Sequence, residues 1–148
     1  MARSEVTSGR AYVIDASVAV KWFSVGEKAV SQAVRLQEEH LSGAATLIAP
    51  ALLFYEVSNA LRYNPNFSKE TVSEAVSSLF ASELTVFRPE QRSLLTAVAL
   101  ALERQLTVYD SVYLAIALEL DVPLVTADGK FFKKTSSLAH VELLEDLA

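Results

Sequence analysis

The sequence predicts an α/β domain: a three-layer α/β/α sandwich around a central, mostly parallel sheet of about five strands. Three observations carry this. Short apolar runs rich in β-branched residues alternate with longer amphipathic segments along the whole chain. Most helical segments open or close on a capping or breaking residue. No repeat, low-complexity stretch or linker interrupts the alternation, so residues 11–148 read as a single domain behind a polar, frayed lead-in at 1–10. Alternation of this kind calls for crossover helices, and crossovers give parallel strands covered on both faces.

Each element has its own signal. Residues 11–15, "AYVID", form a short buried strand. Ser17 can cap a short helix through "SVAVKWF". A helix follows over about 27–41, with Ala29, Ala33, Leu36 and His40 on one side and Gly43 at its end. "TLIAP", 46–50, is a strand halted by Pro50. Leu52, Leu53, Val57, Ala60 and Leu61 then keep a 3.6-residue period until Asn64-Pro65-Asn66 breaks it. Ser68 opens a helix over 68–83. "LTVFRP", 84–89, is a strand, and 90–106 is a helix with a strong apolar face. A helix over 109–121 carries Asp110 and Ser111 at its start. "VPLVTAD", 122–128, is a strand ending in an acid. "GKFFKK", 129–134, is a turn or short helix, and "HVELL", 140–144, is an edge strand.

Composition narrows the function classes. Of 148 residues, 51% are hydrophobic, enough for a full core, and no apolar run reaches the roughly 18 residues of a membrane span. There is no cysteine, so disulfides and thiolate metal sites are excluded, in keeping with a cytoplasmic location. The net charge of −5 argues against a broadly basic nucleic-acid surface.

That argument changes if several acids share one site. Ligands in open α/β sheets bind beyond the carboxyl ends of the strands. Asp15 ends the first strand, Asp128 ends the fourth, and Asp110 starts the helix leading into the fourth. Taken singly, each has a bland reading: Asp15 and Asp110 as helix caps, Asp128 as a turn residue before Gly129. Glu56 resists one, because it lies among apolar residues with Leu52, Leu53, Asn59 and Ala60 at helical spacing and no basic partner. Four carboxylates near one sheet edge would raise one another's pKa unless a cation intervened. All-oxygen donors suit Mg²⁺ or Mn²⁺, which can activate water against a phosphodiester. Setting those four aside from 18 acids leaves 14 against 13 Lys and Arg, a nearly neutral remainder.

The pieces "YVIDASVAVKWF", "APALLFYEVSNAL", "TVYDSVYLAIALEL" and "LVTADGKFF", in this order and spacing, make the chain resemble the PIN-domain ribonucleases. More narrowly, it is similar to the VapC-type toxins of type II toxin–antitoxin pairs. The resemblance covers roughly 11–144. It implies that Asp15, Glu56, Asp110 and Asp128 hold one or two Mg²⁺ or Mn²⁺ ions and carry the catalysis, with Ser17, Asn59 and Thr126 supporting them. It implies metal-dependent cleavage of single-stranded RNA, an antitoxin whose C-terminal segment covers the active groove, and a homodimer or higher even oligomer. One departure bears on a second ion: where some relatives carry a further acid, this chain has Gly129, Lys130, Phe131 and Phe132.

Lys21, Arg62, Lys130, Lys133 and Lys134 are candidates for a rim that guides phosphates, with a solvated surface as the bland reading. Trp22, Phe131 and Phe132 stack a base or, more simply, pack in the core. His40 and His140 stand alone as neither ligand nor base. The rival function is a partner-binding module with weak or no nuclease activity. A phosphoacceptor receiver or a haloacid-dehalogenase-like phosphatase fits poorly, because Asp15-Ala16-Ser17 lacks the second acid each requires.

Overall fold

Strand β1 (Arg10–Ile14) lies at the centre of a five-stranded, all-parallel sheet of order β3-β2-β1-β4-β5. The computed structural model describes residues 9–148. Residues 1–8 of the expected lead-in lie outside that range, and Arg10 already belongs to β1. Along the chain follow α1 (Ala16–Ala19), which runs on as a 3₁₀ turn to Phe23, then α2 (Val30–Ser42) and β2 (Ala45–Pro50). Next come α3 (Leu52–Arg62), α4 (Lys69–Ala81), β3 (Thr85–Phe87), α5 (Gln91–Arg104) and α6 (Val108–Leu120). The chain closes with β4 (Leu124–Thr126), α7 (Gly129–Thr135), β5 (Val141–Leu143) and a 3₁₀ turn. The predicted α/β class and strand count hold, and the segment at 129–134 is a helix.

Burial follows strand position. β2 and β4 are sealed almost throughout, as expected for inner strands covered on both faces. The end strand β3 is largely exposed. Helix α6 packs on β1, β2 and β4, and residues 113–117 of it are buried in succession. A helix apolar on nearly all sides belongs in the core. The deepest side chains, among them Ile14, Leu47, Leu53, Leu114 and Leu124, unite the sheet with α3 and α6.

Two helix starts differ from expectation. Ser17 does not cap α1; Asp15 does, accepting the Ser17 backbone N–H at 3.1 Å. Asp110 does not cap α6 either: Thr107 takes the Asp110 N–H at 3.0 Å and leaves the acid in the first turn with its carboxylate unspent on capping. His40 is structural. Its Nδ1 accepts the Leu47 N–H at 3.1 Å, so Nε2 carries the proton it gives to the Ser82 and Glu83 carbonyls at 3.0 and 3.2 Å. The ring thereby ties α2 to β2 and to the approach to β3. His140 pairs with Asp121 at 2.8 Å. Among the described residues no helix is long and apolar enough to cross a membrane.

Candidate active site

Strand order reverses at β1. The chain steps outward through β2 and β3 on one side, then returns to place β4 and β5 on the other. Such a reversal opens a crevice beyond the carboxyl ends of the two central strands. The β1–β4 register pairs Val13 with Leu124 and Ile14 with Val125, so the next residues, Asp15 and Thr126, meet at the crevice.

Hydroxyls stitch these two strand ends together. Thr126, fully buried, donates to Asp15 Oδ2 at 2.6 Å and accepts the Asp128 N–H at 3.1 Å. Ser17 Oγ donates to Asp15 Oδ1 at 2.5 Å and accepts the Ala127 N–H at 2.8 Å. Asp15 Oδ1 therefore takes two donors and Oδ2 one, which holds the carboxylate in one orientation. Burial pushes the Asp15 carboxyl up from its ordinary 3.8 to about 6; the hydroxyls and the Val18 N–H hold it down, and the charge of Asp128 adds to the rise.

The other acids reach the crevice from helices. Asp128 caps α7, its Oδ1 accepting the N–H groups of Lys130 and Phe131 at 3.0 and 3.2 Å. Asp110 is raised first by burial and then by Asp128, while Thr107 and the Lys134 ammonium pull it down. Glu56 sits on α3 beside the buried Leu53–Val57–Leu61 face. Burial raises its pKa, a 2.6 Å hydrogen bond from the Tyr113 hydroxyl lowers it, and Asp110 raises it again. Tyr113 is pushed far upward by burial and by Glu56, so it stays a donor. The repulsions form a chain: Glu56 feels Asp110, and Asp110 and Asp15 feel Asp128.

Among the described residues no three His, Asp or Glu side chains lie close enough to enclose one ion directly. The donor chemistry nevertheless fits a hard divalent cation. The groups are all carboxylates, burial disfavours the charges of Asp15, Glu56 and Asp110, and Mg²⁺ characteristically keeps several waters between itself and protein oxygens.

The remaining candidates divide. Lys130 and Lys134 line a cavity of about 220 Å³ with Asp110, Asp128, Gln105 and Thr107. Lys134 is anchored there by donating to the Gln105 carbonyl at 2.8 Å. Lys133 is exposed and does not line that cavity. Lys21 is mostly covered and pairs with Glu27 at 3.3 Å. Arg62 stacks on Tyr63, its guanidinium 4.5 Å from the ring centre, at the far end of α3 from Ala51. Asn59 is exposed, one turn past Glu56, and its side chain makes no hydrogen bond among the described residues. Trp22 donates its indole N–H to the Ala33 carbonyl at 2.8 Å, and Phe131 is buried, as core residues. Sequence reasoning missed Tyr113. Its only local signal is a phenol within an apolar helix, and nothing along the chain ties it to Glu56, 57 positions away.

Fold and crevice together define a parallel α/β domain with an acidic centre at the switch point of its sheet. The chain belongs to the PIN-domain family, whose model matches residues 12–137. No curated protein matches it. Among solved structures it is similar to PAE2754 from Pyrobaculum aerophilum: 22% identity, TM-score 0.64, covering 93% of this chain and 92% of that one. It is also similar to a chain of a toxin–antitoxin complex from Klebsiella pneumoniae, at 17% identity and TM-score 0.65, covering 92% and 99%. A third is a chain of VapBC2 from Rickettsia felis bound to a DNA fragment from their promoter, at 14% identity and TM-score 0.61, covering 90% and 96%. At these identities the likenesses establish the fold.

Proposed function

We propose that this chain is a Mg²⁺- or Mn²⁺-dependent endoribonuclease that cuts single-stranded RNA as the toxin of a VapBC-type toxin–antitoxin pair. The carrying observation is the run of mutually repelling carboxylates, Glu56–Asp110–Asp128–Asp15, held at the sheet's switch point with Lys130 and Lys134 at its edge. Membership of the PIN family supports the nuclease reading, and the Klebsiella and Rickettsia neighbours, described as a toxin–antitoxin complex and as VapBC2, support an antitoxin partner.

Asp15, Glu56, Asp110 and Asp128 would hold one or two ions, directly or through water. The bound metal would supply an activated water and neutralise charge developing on the phosphodiester. The chain's own groups do the rest. Ser17 and Thr126 fix the Asp15 carboxylate in one orientation. Tyr113 holds Glu56 through Oε1 and leaves Oε2 to take a proton from the attacking water. Lys130 and Lys134 face the phosphates. The exposed Leu95, Val98 and Leu102 of α5 support a homodimer or higher even oligomer. A cytoplasmic location belongs to the same reading.

Cleavage of an unstructured RNA, followed with Mg²⁺ and with EDTA, tests this. EDTA is expected to abolish cutting, and Asp15→Asn to lower it by about two orders of magnitude, the scale of losing one electrostatic stabiliser. Cutting that persists in EDTA, or full activity in Asp15→Asn, overturns the mechanism. The competing reading is a partner-binding module with little chemistry, favoured by the open spacing of the acids. Failure to bind millimolar Mg²⁺ or Mn²⁺ would select it.

A further inference from the structure

We propose that Tyr109 is a stacking platform for a nucleobase of the RNA strand, standing at the lip of the acidic crevice. This deepens the nuclease reading and rests on it. Tyr109 precedes Asp110 in the first turn of α6 and is 62% exposed, on a helix whose middle is the most deeply buried of the fold. Residues four apart on a helix share a face. Four residues on is Tyr113, only 2% exposed, whose hydroxyl lies 2.6 Å from Glu56. Helical side chains lean toward the helix start, so Tyr109 stands one turn above Tyr113, outward of Glu56 and beside Asp110. Its own hydroxyl has no hydrogen bond among the described residues.

The far side of Asp110 has the opposite character. There Lys130, Lys134 and Gln105 line the small cavity shared with Asp110 and Asp128. A single strand meets this arrangement well: phosphates lie toward the lysines and the acidic centre, and a splayed base lies on the aromatic face. Trp22, Phe131 and Phe132 are engaged in the core, so the stacking surface the sequence sought among them falls to Tyr109. Tyr55 also adjoins an acid, but lines a separate groove with Phe80 and Val86 at the β3 edge.

The test uses a short unstructured RNA of mixed sequence carrying 2-aminopurine, with the whole protein and Ca²⁺ replacing Mg²⁺. Stacking on Tyr109 is expected to quench the fluorophore at one position near the cut. Tyr109→Ala should remove that quench, weaken RNA affinity at least about fivefold and raise KM far more than it lowers kcat. Tyr109→Phe should keep all three, and the exposure of the site should leave the melting temperature of both variants close to the parent's. Loss of affinity in Tyr55→Ala equal to that in Tyr109→Ala, or unchanged affinity and KM in Tyr109→Ala while the parent cuts RNA, overturns this inference alone. A change of oligomeric mass in Tyr109→Ala also overturns it, assigning the surface to a protein contact. A parent that neither binds nor cuts RNA overturns the nuclease reading and this inference with it.

Discussion

Asp15 combines two roles that compete elsewhere. As the cap of α1 it spends a lone pair on the Ser17 N–H, and the two hydroxyls take two more, so its orientation is fixed before any ligand arrives. Burial makes its charge expensive, and the sign of the consequence is definite. A carboxyl with a higher pKa folded than unfolded keeps its proton preferentially in the fold. The folded protein then binds more protons than the unfolded chain between about pH 4 and 6, and stability falls as pH rises through that window. The rise from 3.8 to about 6 corresponds to roughly 3 kcal/mol at neutral pH. In metal-free protein, Asp15→Asn should therefore raise the melting temperature by several degrees at pH 7 and change it little at pH 4, as read by calorimetry. A parent whose melting temperature does not fall between these pH values would contradict the assignment. Tyr113 works on Glu56 in the opposite sense, by holding its charged form. Tyr113→Phe should push the Glu56 pKa higher and weaken Mg²⁺ binding by about tenfold or more in a calorimetric titration.

At the scale of elements, the decisive piece is the start of α6. Thr107 satisfies the first turn and frees Asp110, and the apolar body of the helix presses that turn against the sheet. Thr107→Ala should cost about 1 kcal/mol, a shift of roughly 2–4 °C in the melting temperature, and lower cutting by loosening Asp110. A loss of activity with no thermal shift would mean that Thr107 acts on the substrate instead. Helix α5 carries a different kind of information. Its inner residues Ala97, Leu100 and Ala101 are buried, while Leu95, Val98 and Leu102 form an outward stripe. Leu102→Glu should shift sedimentation toward the monomer without unfolding the chain, because that side chain is 79% exposed.

For the whole molecule, the strand order does what no single element can. It brings residues 15 and 126 into hydrogen-bond contact across 111 positions of chain. The acids so gathered destabilise the fold locally, so a divalent cation that binds only the folded state should stabilise it globally. At about a hundredfold excess over its Kd, Mg²⁺ should add about 2.7 kcal/mol, visible as a rise of several degrees in melting temperature that EDTA reverses. The response should be smaller in Asp15→Asn and in Asp128→Asn. A melting temperature indifferent to Mg²⁺ and Mn²⁺ would place the cation elsewhere or nowhere.

The elements were legible because their signals are local. Periods of 2 and 3.6, Gly43, Pro50 and Asn64-Pro65-Asn66 place every strand and helix to within a few residues, and the alternation of the two implies parallel pairing. Asp15, Asp110 and Asp128 could be nominated for the same reason, since strand ends and helix starts can be marked along the chain, whereas Glu56, inside α3, stood out by its apolar surroundings and lack of a basic partner. The supporting groups divide by the reach of their contacts. Ser17 touches its neighbour Asp15, whereas the Tyr113–Glu56 bond depends on how α3 and α6 meet across the crevice. The same holds for which aromatic is left in solvent: hydrophobicity alone ranks Trp22 and Phe131 with Tyr109, and burial separates them. Sequence by itself determined the α/β class and nominated the four candidate acids, because periodicity and element boundaries are local signals. Tertiary structure alone decided what orients each acid and what flanks it, because those contacts join residues that only packing brings together.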